Sequence, residues 1–152
     1  MDWNKMSKDI RFGFIDSKDN FRVKAFKREF LNYNEDKFVQ LQIEGVDYIR
    51  VGDLYHRRIL RETLNQFGLK YDTKSNRAGF EMPLFRGYNY NLVGAGKIVN
   101  KDDKLNFYDC SSDYFKDVRG TNKENLENIF GKENIIEGEK FLGCHSFFVN
   151  YL

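Results

Sequence analysis

The segment VDYIRVGDLYHRRILRETLNQFG, residues 46–68, carries the strand-to-helix transition from which the predicted fold is built. Its first residues, Val46–Val51, are typical of a short strand. Gly52-Asp53 then opens a helix, because the Asp53 carboxylate can accept hydrogen bonds from backbone N–H groups of the first turn. Apolar residues at helical spacing follow, at Leu54, Leu60, Leu64 and Phe67. Gly68 ends this first helix.

Strands are predicted on both sides of this unit. Apolar and polar residues alternate over Ile10–Phe14 and over Phe21–Ala25, and the polar turn 16–20 between them predicts a β-hairpin. Further strand candidates lie at Val39–Ile43, Phe80–Phe85, Leu92–Val99, Leu105–Phe107, Ile135–Glu137 and Leu142–Tyr151.

A second helix is predicted later in the chain. Thr121-x-x-Glu124 matches a capping box, the apolar residues 126, 129 and 130 follow it, and Gly131 ends the helix. Strands outnumber helices, so the sequence predicts an α+β fold, with a single mixed β-sheet of about six strands and two main helices packed on it. A length of 152 residues suits one domain.

The charge balance narrows the classes of partner. The chain has 25 Lys and Arg against 23 Asp and Glu, which gives no field that would draw it onto nucleic acid or an anionic membrane. No apolar run approaches the ~20 residues of a membrane helix, and residues 1–8 lack the apolar part of a signal peptide. We therefore expect a cytoplasmic monomer that binds neither nucleic acid nor membrane.

The cysteine and histidine content predicts neither a metal site nor a cofactor. The two cysteines, Cys110 and Cys144, have no C-x-x-C spacing, and the chain has only two histidines. Two free thiols are expected in a reducing compartment, with a single disulfide as the alternative.

His56 is the strongest candidate for chemistry. With Asp53 as N-cap, it falls in the first turn of the helix, where the positive end of the helix dipole favours a neutral imidazole. A neutral imidazole can act as a general base or a nucleophile, and the backbone N–H groups of the same turn can bind an anion. The alternative is a histidine at the edge of the apolar stripe, packed in the core.

Other polar segments are weaker signals. The turn Asp109–Asp113 offers amides and two serine hydroxyls that could bind phosphate, although an ordinary turn has the same composition. Gly94-Ala95-Gly96-Lys97 lacks P-loop spacing, so its glycines are interpreted as permitting a bulge or a close backbone approach. Arg22 is expected on the solvated face of its strand.

The order of four segments carries more information than any one of them. They are Ile15-Asp16-Ser17 with Phe21-Arg22, Leu54-Tyr55-His56, Gly94-Ala95-Gly96-Lys97-Ile98, and Tyr108-x-x-Ser111-x-x-Tyr114. This set resembles the Janus/Ocnus phosphohistidine phosphatase family, which has a Tyr-His pair entering its first helix, a Gly-Gly-Gly-Arg-Ile-like strand and a Tyr-Gly-x-Ser loop. The resemblance covers about Phe12 to Glu137, so residues 69–89 would be an insertion and residues 139–152 a C-terminal extension.

The resemblance implies a metal-independent phosphatase that hydrolyses phosphohistidine in proteins and needs no cofactor. His56 matches the catalytic histidine of the family, as general base or nucleophile. Arg22 stands where the family has a substrate-binding lysine, and Lys97 matches the basic residue after the glycines. The phosphate-binding loop is matched by Ser111, Ser112 and Asp113.

Departures from the family pattern leave alternatives open. Asp109 and Phe115 replace glycines, and Asp113 places a carboxylate in the phosphate loop. One alternative is a catalytically inactive module that binds phosphate or a phosphopeptide on the same fold. Another is a related phosphatase that acts on phospholysine or a nucleotide.

Overall fold

The computed structural model describes residues 8–31, 36–75, 78–108, 120–140 and 143–151. The strands in these ranges are β1 Phe12–Asp16, β2 Arg22–Ala25, β3 Asp36–Ile43, β4 Val46–Gly52, β5 Thr73–Ser75, β6 Glu81–Pro83, β7 Tyr90–Lys101, β8 Lys104–Tyr108, β9 Ile135–Glu137 and β10 Phe147–Val149. The α-helices are α1 His56–Gln66 and α2 Lys123–Phe130, and short 3-10 helices span Arg28–Phe30 and Lys132–Asn134.

One large mixed sheet organises the described chain. Its strand order is β2-β1-β4-β3-β7-β8-β10-β9, with β1 and β4 parallel and the other neighbours antiparallel. The predicted α+β class is confirmed, but the sheet has eight strands rather than about six. Residues 139–152 were expected to be an extension, with a strand candidate at Leu142–Tyr151. Within them, Phe147–Val149 forms a strand between β8 and β9.

The alternation of side chains along the strands gives the sheet two apolar faces. Val39 and Leu41 point to the face that packs against Ile59, Leu60 and Leu64 of α1. The other face carries the aromatic cluster around Phe12, Phe26, Phe38 and Phe107, together with Leu126 of α2. The result is a three-layer arrangement with one helix on each side of the sheet. Within the described ranges, no helix is long and apolar enough to cross a membrane.

The first helix begins later than the sequence predicts. Its N-cap is Tyr55, which has extended backbone and no capping side chain, so His56 is the first helical residue. The prediction of Asp53 as N-cap is therefore wrong. The Asp53 carboxylate instead accepts a hydrogen bond from the Ser17 hydroxyl, with Oγ and Oδ1 3.4 Å apart. The predicted end is confirmed, because Gly68 follows with a φ of 67°.

The N-cap of the second helix lies one residue after the predicted capping position. Asn122 is the N-cap, and its side-chain oxygen accepts from the backbone N–H of Asn125 at 2.9 Å. Thr121 is not the cap, because its hydroxyl lies buried without a hydrogen-bond partner among the described residues. Gly131, with a φ of 89°, ends the helix as predicted.

Residues 69–89 contain a small hairpin outside the main sheet. Thr73–Ser75 pairs with Glu81–Pro83 in a two-stranded sheet, and Met82 packs into the α1 side of the core. The strand predicted near residues 80–85 is confirmed. Its partner was missed because Thr73–Ser75 is polar and exposed throughout, so it has no apolar alternation to detect.

Cys144 is disulfide-bonded, and the described residues include no free cysteine. The expectation of free thiols is therefore wrong for Cys144. The one other cysteine of the sequence, Cys110, lies outside the described residues. The expectation rested on the usual redox state of cytoplasmic proteins, and sequence spacing gives no information on whether two distant cysteines meet in the fold.

A buried polar network joins α2 to the sheet. The Asn125 side chain accepts from Gln40 Nε2 at 3.0 Å and donates through its own Nδ2 to Asp47 Oδ1 at 3.0 Å. All three side chains are buried. Gln40 Nε2 also donates to the backbone carbonyl of Asn122 at 2.9 Å, so the helix start is held to β3.

We expect Asn125→Ala to lower the free energy of unfolding by about 2–4 kcal/mol, because it removes two buried hydrogen bonds, one of them to the Asp47 carboxylate. Urea unfolding measures this change. The control is Lys123→Ala, at an exposed position of the same helix outside this network, where a loss below about 1 kcal/mol is expected. Equal losses in the two variants would contradict a dominant role for the buried network.

Gly13 makes room for a fully buried arginine. A Cβ at position 13 would lie 2.7 Å from Val23 Cγ1 and 2.9 Å from Arg50 Nη1. Arg50 donates through Nη1 to the carbonyls of Arg11 and Ile49, and burial lowers the pKa of its guanidinium to about 10. The side chain therefore has little space to move.

We expect Gly13→Ala to reduce the free energy of unfolding by about 1–3 kcal/mol through overpacking against Arg50 and Val23. Gly52→Ala is the matched control, since its Cβ would meet its nearest heavy atom, the Ile15 carbonyl oxygen, at an ordinary 3.5 Å. A change within about 0.5 kcal/mol is expected there. If the Gly13→Ala variant is as stable in urea as the control, the side chains around position 13 can shift to accept the added methyl group, which would contradict the prediction.

Candidate functional site

His56 is held in a defined orientation at the start of α1. Its side chain is buried, with 6% of its surface exposed. Nε2 lies 2.8 Å from the backbone carbonyl oxygen of Gly96 on β7. A carbonyl oxygen only accepts, so Nε2 carries a proton in this hydrogen bond. In the neutral ring the lone pair therefore lies on Nδ1, which is the nitrogen that can take a proton or attack an electrophile.

The glycines of β7 allow the close approach that this site requires. A Cβ on Gly96 would lie 2.5 Å from the Tyr108 carbonyl oxygen and 3.1 Å from the Phe38 ring. A Cβ on Gly94 would lie 2.1 Å from Gln40 Oε1. The register between β3 and β7 also shifts after Gln40, as in a β-bulge. The interpretation of these glycines as permitting a bulge and close packing is confirmed.

Two lysines face each other beside the histidine. Lys37 on β3 is the direct register partner of Lys97 on β7, next to Phe38 and Gly96. Both side chains lie on the face of the sheet that α1 covers, because Val39 and Ala95 on that face belong to the α1-side core. Like charges directly opposite each other on a sheet are destabilising.

Lys37 was missed by the sequence analysis. It is a partly buried residue near the start of β3, between the buried residues Asp36 and Phe38. A lysine at the end of a buried strand is a usable signal, but only knowledge of the strand register shows that it meets Lys97.

A cavity of about 740 Å³ lies between the start of α1 and the β5–β6 hairpin. The residues that line it are Phe21, Lys37, Asp53, Leu54, Tyr55, Arg57, Arg58, Arg61, Phe80, Glu81 and Pro83. His56 and Arg22 are described residues that do not line it. The hairpin thus supplies one wall of the cavity. The opposite wall is formed by residues that flank His56 in the sequence.

Arginines stack on aromatic rings along this cavity. The Arg57 guanidinium carbon lies 4.9 Å from the Tyr55 ring centroid and 4.2 Å from the Phe80 ring centroid. The Arg58 guanidinium lies 4.4 Å from the centroid of Phe21. A guanidinium over the face of an aromatic ring is attracted to it electrostatically.

The charges of the cavity are only partly compensated. Arg58 forms an ion pair with Glu62, with Nε and Oε1 2.9 Å apart. Among the described residues, Arg61 makes no hydrogen bond or ion pair. Glu81 contributes a carboxylate whose pKa is lowered by hydrogen bonds from Ser75 and Thr73, so it is ionised near neutral pH.

Arg22 lies at a distance from the carbonyl that holds His56. It is an exposed residue at the start of β2, in register with Asp16 at the end of β1. β1, β4 and β3 separate β2 from β7, so the backbones of β2 and β7 are about 19 Å apart. Lys97 therefore lies next to the Gly96 carbonyl that holds His56, whereas the backbone of Arg22 does not.

Ser111, Ser112 and Asp113 lie outside the described residues. The described chain stops at Tyr108, the register partner of Lys97, and resumes at Gly120, which bridges to Ala95. Both of these flanking residues therefore pair with neighbours of Gly96.

The described ranges contain no group of three or more His, Cys, Asp or Glu side chains that could hold a metal ion. No protein-family model, no curated protein and no solved structure matches this chain.

Proposed function

We propose that this protein is a metal-independent phosphatase that hydrolyses phosphohistidine in proteins, with His56 as general base or nucleophile. The observation that carries the proposal is the orientation of His56. His56 is the first residue of α1, and its Nε2–H donates a hydrogen bond to the Gly96 carbonyl on β7, next to the Lys37–Lys97 pair. The ordered resemblance to the Janus/Ocnus family supplies the reaction and the substrate class.

The chemistry matches these groups. In the phosphoramidate P–N bond, the leaving imidazole departs easily once its nitrogen is protonated. In one route, Nδ1 of His56 takes a proton from water as the water oxygen bonds to phosphorus and the P–N bond breaks. In the other route, Nδ1 bonds to phosphorus as the P–N bond to the substrate imidazole breaks, and water then bonds to phosphorus as the P–Nδ1 bond breaks and releases phosphate. In both, lysine ammonium groups and backbone N–H groups at the start of α1 stabilise the charge on the phosphoryl oxygens.

A second candidate is a module that binds a phosphopeptide without turnover. The limited exposure of the His56 ring, at 6%, and its absence from the lining of the cavity favour this candidate. A related phosphatase acting on phospholysine or a nucleotide would use the same groups.

The cytoplasmic location remains a prediction. The disulfide at Cys144 weighs against it, because disulfides persist mainly in oxidising compartments.

We expect the protein to release phosphate from a phosphohistidine peptide in the presence of EDTA, and His56→Ala to lower the rate by about 100-fold or more. The control is His145→Ala. His145 is half-exposed, with Nδ1 3.0 Å from Glu137 Oε1, and its variant is expected to keep wild-type turnover. If the wild-type protein releases no more phosphate than His56→Ala, the enzyme proposal is wrong. Saturable peptide binding without turnover would select the binding module.

We expect Lys37→Ala and Lys97→Ala each to reduce kcat/KM for the same peptide by about tenfold, because each removes a charge from the anion site. Lys101→Ala, in the exposed end of β7, is the matched control and should leave kcat/KM unchanged. Arg22→Ala tests the role implied by the resemblance, which predicts a loss of similar size. Wild-type kinetics in both Lys37→Ala and Lys97→Ala would place the phosphoryl group elsewhere.

A further inference from the structure

The cavity beside α1 contains more than phosphoryl hydrolysis needs. Its volume of about 740 Å³ is far larger than one phosphate and falls in the range of small-molecule sites. Its walls combine cations, aromatic rings and carboxylates, and His56 is not among them. A ligand that fits this cavity should therefore interact with cations, aromatic rings and carboxylates.

The cationic side chains of the cavity could bind one anionic group of a ligand. Arg61 lines the cavity and makes no hydrogen bond or ion pair with any residue in the described ranges. Lys37 lines the same cavity, with its ammonium 5.7 Å from the Tyr55 ring centroid. A guanidinium fork and an ammonium together suit a phosphate group, because the fork donates two parallel hydrogen bonds and the ammonium adds a point charge.

The aromatic side chains of the cavity could bind a planar ring of the same ligand. Phe80 and Tyr55 both keep large exposed surfaces, 48% and 61%, although each also contacts the Arg57 guanidinium. Exposed aromatic side chains beside an arginine offer a surface on which a heterocycle can stack.

The carboxylates decide between an acidic peptide and a nucleoside. Asp53 and Glu81 line the cavity, and the hydrogen bonds that lower the pKa of Glu81 keep it ionised. An acidic peptide would place further carboxylates against them, which costs Coulomb energy. Ribose hydroxyls, by contrast, are donors that a carboxylate can accept.

We propose that this cavity binds a nucleoside phosphate, with the phosphate on Arg61 and Lys37, the base against Phe80, and the ribose toward the carboxylates of Asp53 and Glu81. The β5–β6 hairpin supplies both Phe80 and Glu81, so the insertion of residues 69–89 builds the part of the site that recognises the nucleoside. Binding requires no step at His56.

Isothermal titration calorimetry of the full chain with AMP tests the proposal, with adenosine and inorganic phosphate as partial ligands. AMP is not a phosphoramidate, so its binding is measured independently of phosphohistidine turnover. We expect AMP to bind at least about tenfold more tightly than either partial ligand, because only AMP reaches both the rings and the cations. Arg61→Ala and Phe80→Ala should each weaken AMP binding by about fivefold or more.

Arg86→Ala is the matched control, because Arg86 is an exposed arginine outside this cavity, and it should keep wild-type affinity for AMP. Thermal unfolding of each variant establishes that it is folded. The proposal is overturned if inorganic phosphate binds as tightly as AMP, if Arg61→Ala binds AMP like the control, or if a Glu-rich peptide binds this site in preference to AMP. Failure here would leave the phosphohistidine assay unaffected.

Discussion

The close approach of backbone and side chains around β7 is the constraint on which the arrangement of both helices depends. At Gly96 the main chain passes so near Phe38 and Tyr108 that no side chain fits, and its carbonyl holds the first residue of α1 through His56. At Gly94 the same strand passes against Gln40, which binds the start of α2. Two glycines, two residues apart, therefore position one helix on each face of the sheet.

This arrangement makes the sheet the rigid reference for the candidate site. The histidine ring is held by a backbone acceptor on a central strand, so its orientation depends on strand register. The lysine pair is set by the same register, since Lys37 and Lys97 are opposite each other only when Phe38 faces Gly96. The same strand register therefore sets the positions of the histidine acceptor and of the two lysines.

The sequence predicted the elements whose signals are local. The apolar spacing of α1, the terminating glycines 68 and 131, and the first hairpin all follow from short-range rules. The caps were misplaced, because Asp53 and Thr121 are good capping residues in isolation. In the fold, Asp53 accepts from Ser17 and Asn122 serves as the cap of α2.

The features that were missed depend on long-range pairing. Lys37 gains its meaning only from its partner on another strand, and Thr73–Ser75 is a strand only because Glu81–Pro83 lies beside it. The disulfide of Cys144 is a further contact that no local pattern contains. The glycines of β7 could be interpreted correctly because the absence of a phosphate-binding motif left close packing as their simplest explanation.

The position of β10 between β8 and β9 has a consequence for biosynthesis. β9 precedes β10 in the chain, yet its only neighbour in the sheet order is β10. Until Phe147–Val149 has joined the sheet, β9 has no neighbour in this strand order and β8 presents an open edge with unpaired N–H and C=O groups. Completion of the sheet therefore awaits the emergence of Phe147–Val149, and until then the nascent chain exposes a surface that chaperones can recognise.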